Sequence, residues 1–275
     1  MAGAGPGDRG ITGALRVHAV LVYAFLYLPI LVVVVFAFND SRLVQVWHGF
    51  SLRWFGEAWR DEGLRHGLLI SFYTALFNAL LATSLGTSAA IGLRNVGART
   101  RATFDAFMYM TLITPELVAA IASLMAFVTI GLPLGPVAIV ITHSIFNTAV
   151  VTLIVRARLS GMDRSLEEAA RDLGASRWST FREVTLPQIF PAVVAGTLLA
   201  FTFSFDDVVL STFVSGPGST TLPVAIFSEL RFGLSPKINV VAVFTLTITL
   251  TAIVVSQILL RRSSPRTGRP EVTDA

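Results

Sequence analysis

Cysteine is absent from the 275 residues and lysine occurs once, at Lys237. The first absence excludes disulfides and thiolate metal sites. The second excludes a Walker A loop, because the one lysine lies in "SPKIN" with no glycine-rich loop before it. Charge is scarce as well: 14% of residues are Asp, Glu, Lys or Arg, against about 25% in an ordinary soluble domain. The four histidines, His18, His48, His66 and His143, are scattered, three of them at span ends or in loops. No zinc-ligand cluster and no nucleophile triad can be assembled from these residues, which excludes most enzyme classes.

What is present is apolar. Hydrophobic residues make up 53% of the chain and the mean hydropathy is +0.71. A helix needs roughly 20 apolar residues to cross a bilayer. The uncharged runs predict six spans, at 15–38, 67–93, 104–130, 136–156, 188–214 and 238–261, with "GLPLGP" at 131–136 separating the third from the fourth. The fold class expected is an all-α polytopic membrane protein. Residues 1–14 read as a tail. The apolar run after Arg16 is too long for a secretory h-region and no A-x-A site follows it, so it reads as a retained span. The polar residues 262–275 read as a disordered tail.

Cation placement gives an orientation. Fifteen Lys or Arg lie in the N-tail, the 94–105 loop, the 156–187 loop and the C-tail, and six lie on the other side. The positive-inside rule puts both termini in the cytoplasm. The high pI then reflects arginines at span ends, not nucleic-acid binding. Trp47, Trp54 and Trp59 fall in the first external loop, where interfacial anchoring is expected. Pro29 and Pro115 should kink spans one and three. Small residues recur at Ala82, Gly86 and Ala90 in span two and at Ala192, Gly196, Ala200 and Ser204 in span five. Such rows let helices approach closely in lipid.

The polar stretch "EEAARDLGASRWSTFREVTLP" at 167–187 interrupts this pattern. Asp163 is suited to cap a helix over 165–173, with acids crowding its positive end. Gly174 can take the left-handed position that stops that helix. Ser176 can start a second one, and Pro187 marks entry into span five. Chemistry alone gives helix, glycine turn, helix, or a solvated amphipathic loop on the membrane.

Three carboxylates lie within apolar spans. Glu116 follows Pro115, 12 residues into span three, which is about 18 Å and near the midplane. Asp206 and Asp207 lie in the outer half of span five. Buried acids of this kind cost on the order of 3 kcal/mol and usually face a cavity or partner. Glu116 could instead be protonated or bonded to backbone freed by the proline, and one aspartate could cap a break in span five. Asp207 shares the small-residue face through Ala200, whereas Asp206 points some 100° away. No cationic side chain is evident at comparable depth, which favours a cationic solute.

Glu168-Ala169-Ala170, three residues, Gly174, nine residues, Val184, and Leu186-Pro187 resembles the EAA motif of binding-protein-dependent ABC importer permeases. The usual isoleucine is replaced by Val184. The resemblance extends from span one to the C-tail. It implies the type I ABC importer permease fold, one membrane domain over 15–261, and a coupling loop at 157–187. Glu168, Ala169, Ala170 and Gly174 would dock on a separate ATP-binding subunit dimer. ATP would be bound there, with no cofactor or metal in this chain. A homologous second permease and an extracytoplasmic solute-binding protein are the other implied partners, with the lipid bilayer and the cell membrane as setting. "TPELVAAIASL", "LLAFTFSFDDVVLSTFVSGP" and "SPKINVVAV" look like the spermidine/putrescine branch, second membrane subunit. On that likeness Glu116, Asp207 and Asp206 would line the path of a polyamine, with Phe203 or Phe205 adding cation–π contact. Relatives that move aminophosphonates keep a second solute open. A secondary cation transporter or channel using the same acids is a further alternative, which the coupling motif opposes, and a scaffold without a pathway is the last.

Overall fold

The computed structural model describes residues 6–42, 46–232 and 236–263. Among the described residues twelve α-helices follow one another: α1 (Pro6–Ala37), α2 (Arg53–Arg60), α3 (Glu62–Gly92), α4 (Ala98–Ile113), α5 (Glu116–Ile130), α6 (Pro136–Ser160), α7 (Ser165–Asp172), α8 (Arg177–Thr180), α9 (Leu186–Phe205), α10 (Val209–Val214), α11 (Leu222–Phe232) and α12 (Pro236–Ser263). A π-helical turn, Phe181–Thr185, joins α8 to α9. Among the described residues there is no strand, only an isolated bridge between Asn39 and Phe50.

Among the described residues four helices are long and apolar enough to cross a membrane: Leu15–Ala37, Glu62–Gly92, Pro136–Ser160 and Arg177–Phe205. A fifth crossing is available if α4 and α5 count as one bent span. The apolar part of α12, Pro236–Thr251, is shorter, and the remainder of the expected sixth span falls largely on side chains outside the described residues. The expected tail at 1–14 is helical from Pro6, ahead of the apolar run that begins at Leu15. The expected tail at 262–275 lies outside the described residues from position 264 onward.

Two spans are broken rather than continuous. α4 and α5 meet at 105°. The expectation at Pro115 was a kink. A proline has no N–H to donate and disfavours the α conformation in the residue before it. Thr114 accordingly takes ψ 125°, and helix resumes only at Glu116. Span five stops at Phe205 and restarts at Val209. The Asp207 carboxylate accepts a hydrogen bond from Ser211 N at 2.7 Å, in the first turn of α10.

The contacts divide into two compact units. One comprises Met1–Glu62 with Ser228–Thr247. Its core is Ala37, Trp54, Ala58 and Val240. Trp54 is buried there, so it is a core side chain instead of the expected interfacial anchor, while Trp47 and Trp59 are exposed. The other unit comprises Gly63–Phe227 with Ile248–Ala275. At its centre α6 is wedged between α3 and α9: fully buried Val151 packs with Ala82, Ala90 and Ala200. A Cβ on Gly86 would stand 2.8 Å from the Val151 Cβ, and one on Gly196 would stand 3.3 Å from Val151 Cγ1. The two small-residue rows therefore face the same valine, one from each side. Polar bonds tie the same three helices. Asn78 Nδ2 of α3 and Asn147 Nδ2 of α6 both donate to the Ala200 carbonyl, at 2.9 and 3.4 Å.

Candidate functional site

The two helix breaks border a cavity in the second unit. It has a volume of about 590 Å³ and is lined by Glu116, Thr142, His143, Phe203, Asp206 and Asp207 among others. Each acid arrives by a different local route. Glu116 opens α5 directly after the proline break. Asp206 ends α9, and Asp207 sits in the link before α10. Asp206 is exposed on the cavity side, whereas Asp207 is 9% exposed. Glu116, Asp206 and Asp207 line this cavity together. Carboxylates gathered in one cavity repel unless a proton or a cation lies between them. Neither lysine nor arginine lines the cavity among the described residues.

The phenylalanines separate. Phe203 lines the cavity and meets Phe146 edge-on at 6.0 Å. Phe205 is buried and stacks on Phe201 at 5.6 Å, away from the cavity. Of the two aromatics expected near the acids, only Phe203 is placed to meet a ligand there.

His143 was not anticipated. It lies in the first half of α6, 2% exposed, with Nε2 3.2 Å from Asp207 Oδ1 and Nδ1 2.7 Å from Ser204 Oγ. The acids therefore do have a basic neighbour at their depth, contrary to the reading from sequence. The available signal was a lone ionisable residue inside an apolar span, which is by itself a functional pointer.

The 157–187 segment forms a second site. Asp163 Oδ1 accepts from Ser165 N at 2.9 Å, but the cap position of α7 falls on Arg164, so Asp163 stands one residue ahead of the cap expected of it. Gly174 takes φ +88°, a left-handed position that favours glycine, and Ala175 N closes the turn on the Ala170 carbonyl at 3.0 Å. Ser176 Oγ caps α8 by accepting from Ser179 N. The helix then runs on through the π turn into α9, so Pro187 does not mark a boundary. It lies in the first turn of α9, just past the wider π turn, where its missing donor matters least.

Glu168 and Ala169 are exposed on α7 and Ala170 is half-buried. Leu173 and Trp178 stand beside them, 89% and 69% exposed. The neighbouring Glu167 is turned inward. Its two oxygens take both terminal nitrogens of Arg94, at 2.9 and 3.1 Å, and Oε1 also accepts from Thr185 Oγ1 at 2.7 Å. The bonds from Arg94 hold its carboxyl below the usual carboxylate range against the opposing effect of burial, with Thr185 and Arg171 contributing. Glu167 is a second residue that sequence reading passed over.

Comparison with known proteins places this geometry. Residues 82–269 match the family described as binding-protein-dependent transport system inner membrane component. The chain is 43% identical over 233 residues to the putrescine transport system permease protein PotI of Escherichia coli strain K12, covering 82% of this chain and 83% of that one. It is 36% identical over 240 residues to the spermidine/putrescine transport system permease protein PotC of the same strain, covering 87% and 91%. A solved chain of a bacterial ABC transporter involved in the import of the acidic polysaccharide alginate superposes with TM-score 0.75 over 93% of this chain and 96% of that one. Its sequence identity is 14%, so that likeness concerns the fold alone.

Proposed function

The chain belongs to the family of binding-protein-dependent transport system inner membrane components, and on that premise we propose that it carries a polyamine across the cell membrane as one of two permease subunits of an ABC importer. Its all-α polytopic architecture is the type I ABC importer permease fold. Putrescine or spermidine is the substrate proposed, in keeping with the names of PotI and PotC. ATP is bound and hydrolysed on a separate ATPase dimer, and an extracytoplasmic binding protein delivers the solute. Both termini and α7 lie on the cytoplasmic side.

One observation carries the substrate class. Glu116, Asp206 and Asp207 converge on a cavity of about 590 Å³ with no Lys or Arg in its described lining. That volume lies within the range of small-molecule sites, about 300–1,000 Å³. An ammonium group would sit among the three carboxyls and add positive charge beyond what the single neighbouring histidine, His143, can supply. Phe203 adds an aromatic face at the same place. The partner permease contributes the other wall of the path.

At the far end of α6, Glu168, Ala169, Ala170 and the Gly174 turn form the surface that docks on the ATPase. ATP-driven closure there moves α7, and the rigid α6–α9 pair passes that motion to the acids by alternating access.

Uptake of radiolabelled putrescine, spermidine and an aminophosphonate tests the assignment, in cells producing this chain with its partner permease, ATPase and binding protein. ATP-dependent uptake of a polyamine, competed by unlabelled polyamine, is expected. Uptake of the aminophosphonate alone would replace the substrate class. Polyamine uptake that persists with ATP depleted and the ion gradient held would contradict the ABC role.

A further inference from the structure

The Asp207 carboxylate is restrained more tightly than its neighbours. Its Oδ1 receives Ser211 N at 2.7 Å and faces His143 Nε2 at 3.2 Å. The imidazole is fixed in turn at its other nitrogen, where Nδ1 and Ser204 Oγ are 2.7 Å apart. Because Nε2 faces an acceptor-only carboxylate oxygen, the neutral tautomer that fits carries its proton on Nε2 and accepts at Nδ1 from the Ser204 hydroxyl, with Ser211 Oγ a further neighbour of Nε2 at 3.4 Å. The three groups come from different elements: His143 from α6, Ser204 from α9, and Asp207 from the link before α10. All three are buried. With Oδ1 engaged twice, Oδ2 is the oxygen that these two contacts leave free to meet a ligand.

We infer that His143 is a positioning residue of the cation site, which it serves by clamping Oδ1 of Asp207 so that the carboxylate presents Oδ2 to an ammonium group. The inference rests on the proposed polyamine site and adds to it a residue that does not itself touch the substrate. It accounts for a buried polar triad placed at the break in span five, where the backbone of 206–208 is not held by a helix. A carboxylate in such a link is free to turn unless a side chain from a continuous helix restrains it, and α6 is the most deeply packed of the long spans.

The test is the concentration dependence of putrescine uptake by the complete reconstituted transporter carrying His143→Gln, Asp207→Asn or both. For His143→Gln the apparent KM should rise about tenfold, the size expected for one lost charge-assisted bond, and by several times more than the maximal rate changes. In the Asp207→Asn background the same substitution should add less than about twofold, because the coupled pair acts as one unit. An unchanged KM for His143→Gln beside a raised KM for Asp207→Asn would overturn the positioning role and leave the acidic site standing. Effects of the two substitutions that simply multiply would overturn it too. An unchanged KM for Asp207→Asn would instead refute the acidic site, and the role of His143 with it. Should His143→Gln fail to assemble, Ser204→Ala frees the ring without removing it. Its KM should rise about twofold to threefold, and no rise would count against the clamp.

Discussion

Arg94 grips both carboxylate oxygens of Glu167, at 2.9 and 3.1 Å, and so fastens α7 to the end of α3 across 73 positions of sequence. Thr185 adds a third bond from the π turn. The exposed acid of the pair, Glu168, is therefore displayed from a helix held on its inner side by a buried one.

Glu167→Gln should lower stability by about 1–3 kcal/mol, the usual result of weakening a buried charged hydrogen bond. The effect carries a pH signature. The Glu167 carboxyl is depressed in the folded chain, chiefly by its bond from Arg94. Its stabilisation is thus fully present above the ordinary glutamate value of about 4.3 and is lost as pH falls through the lower folded value. Thermal unfolding of the purified complex should separate native from variant protein at pH 7 and bring them together well below pH 4. A gap that widens on acidification would contradict the assignment.

Glu168→Arg should leave insertion and stability unchanged, since the side chain is exposed. If α7 docks on the ATPase, the reversed charge should weaken assembly or separate ATP hydrolysis from uptake. The measurement is uptake per ATP hydrolysed. A native ratio with native assembly would remove Glu168 from the docking surface.

Gly86→Ala should destabilise the α3–α6 contact by about 1–3 kcal/mol, as overpacking does in a close-packed interior. The added Cβ would stand 2.8 Å from the Val151 Cβ and 3.0 Å from the Thr148 carbonyl. Trimming the neighbour with Val151→Gly, which removes the Cβ nearest to the added methyl, should recover part of the loss. Melting temperatures of the two single variants and the double variant read this directly, and a double variant no better than Gly86→Ala would place the clash elsewhere.

These sites differ in how far the sequence disclosed them. The small-residue rows were legible because their four-residue period is a property of one helix, and Val151 then explains both. The α7–Gly174–α8 turn was legible because caps and left-handed glycines act locally. A break in span five was among the readings left open at Asp206-Asp207, whereas Pro115 announced a kink and not the 105° turn between α4 and α5, which depends on what packs around it. His143 and Glu167 were hidden for another reason. Each takes its role from partners in other helices, Asp207 64 positions away and Arg94 73 positions away, and no periodicity within one segment encodes such a pairing. Phe203 and Phe205 are two residues apart and looked equivalent. Only the direction of the last turn of α9 sends one to the cavity and the other to Phe201.

The central claim is that carboxylates gathered in one cavity at the breaks of two spans receive the cation. It is tested most directly by ATP-dependent putrescine uptake in the complete transporter carrying Glu116→Gln and Asp207→Asn together, with assembled complex quantified in parallel. Loss of two charged partners predicts a fall in uptake efficiency of about a hundredfold, roughly tenfold for each, in complex that still assembles. Native uptake by the assembled double variant would contradict the account.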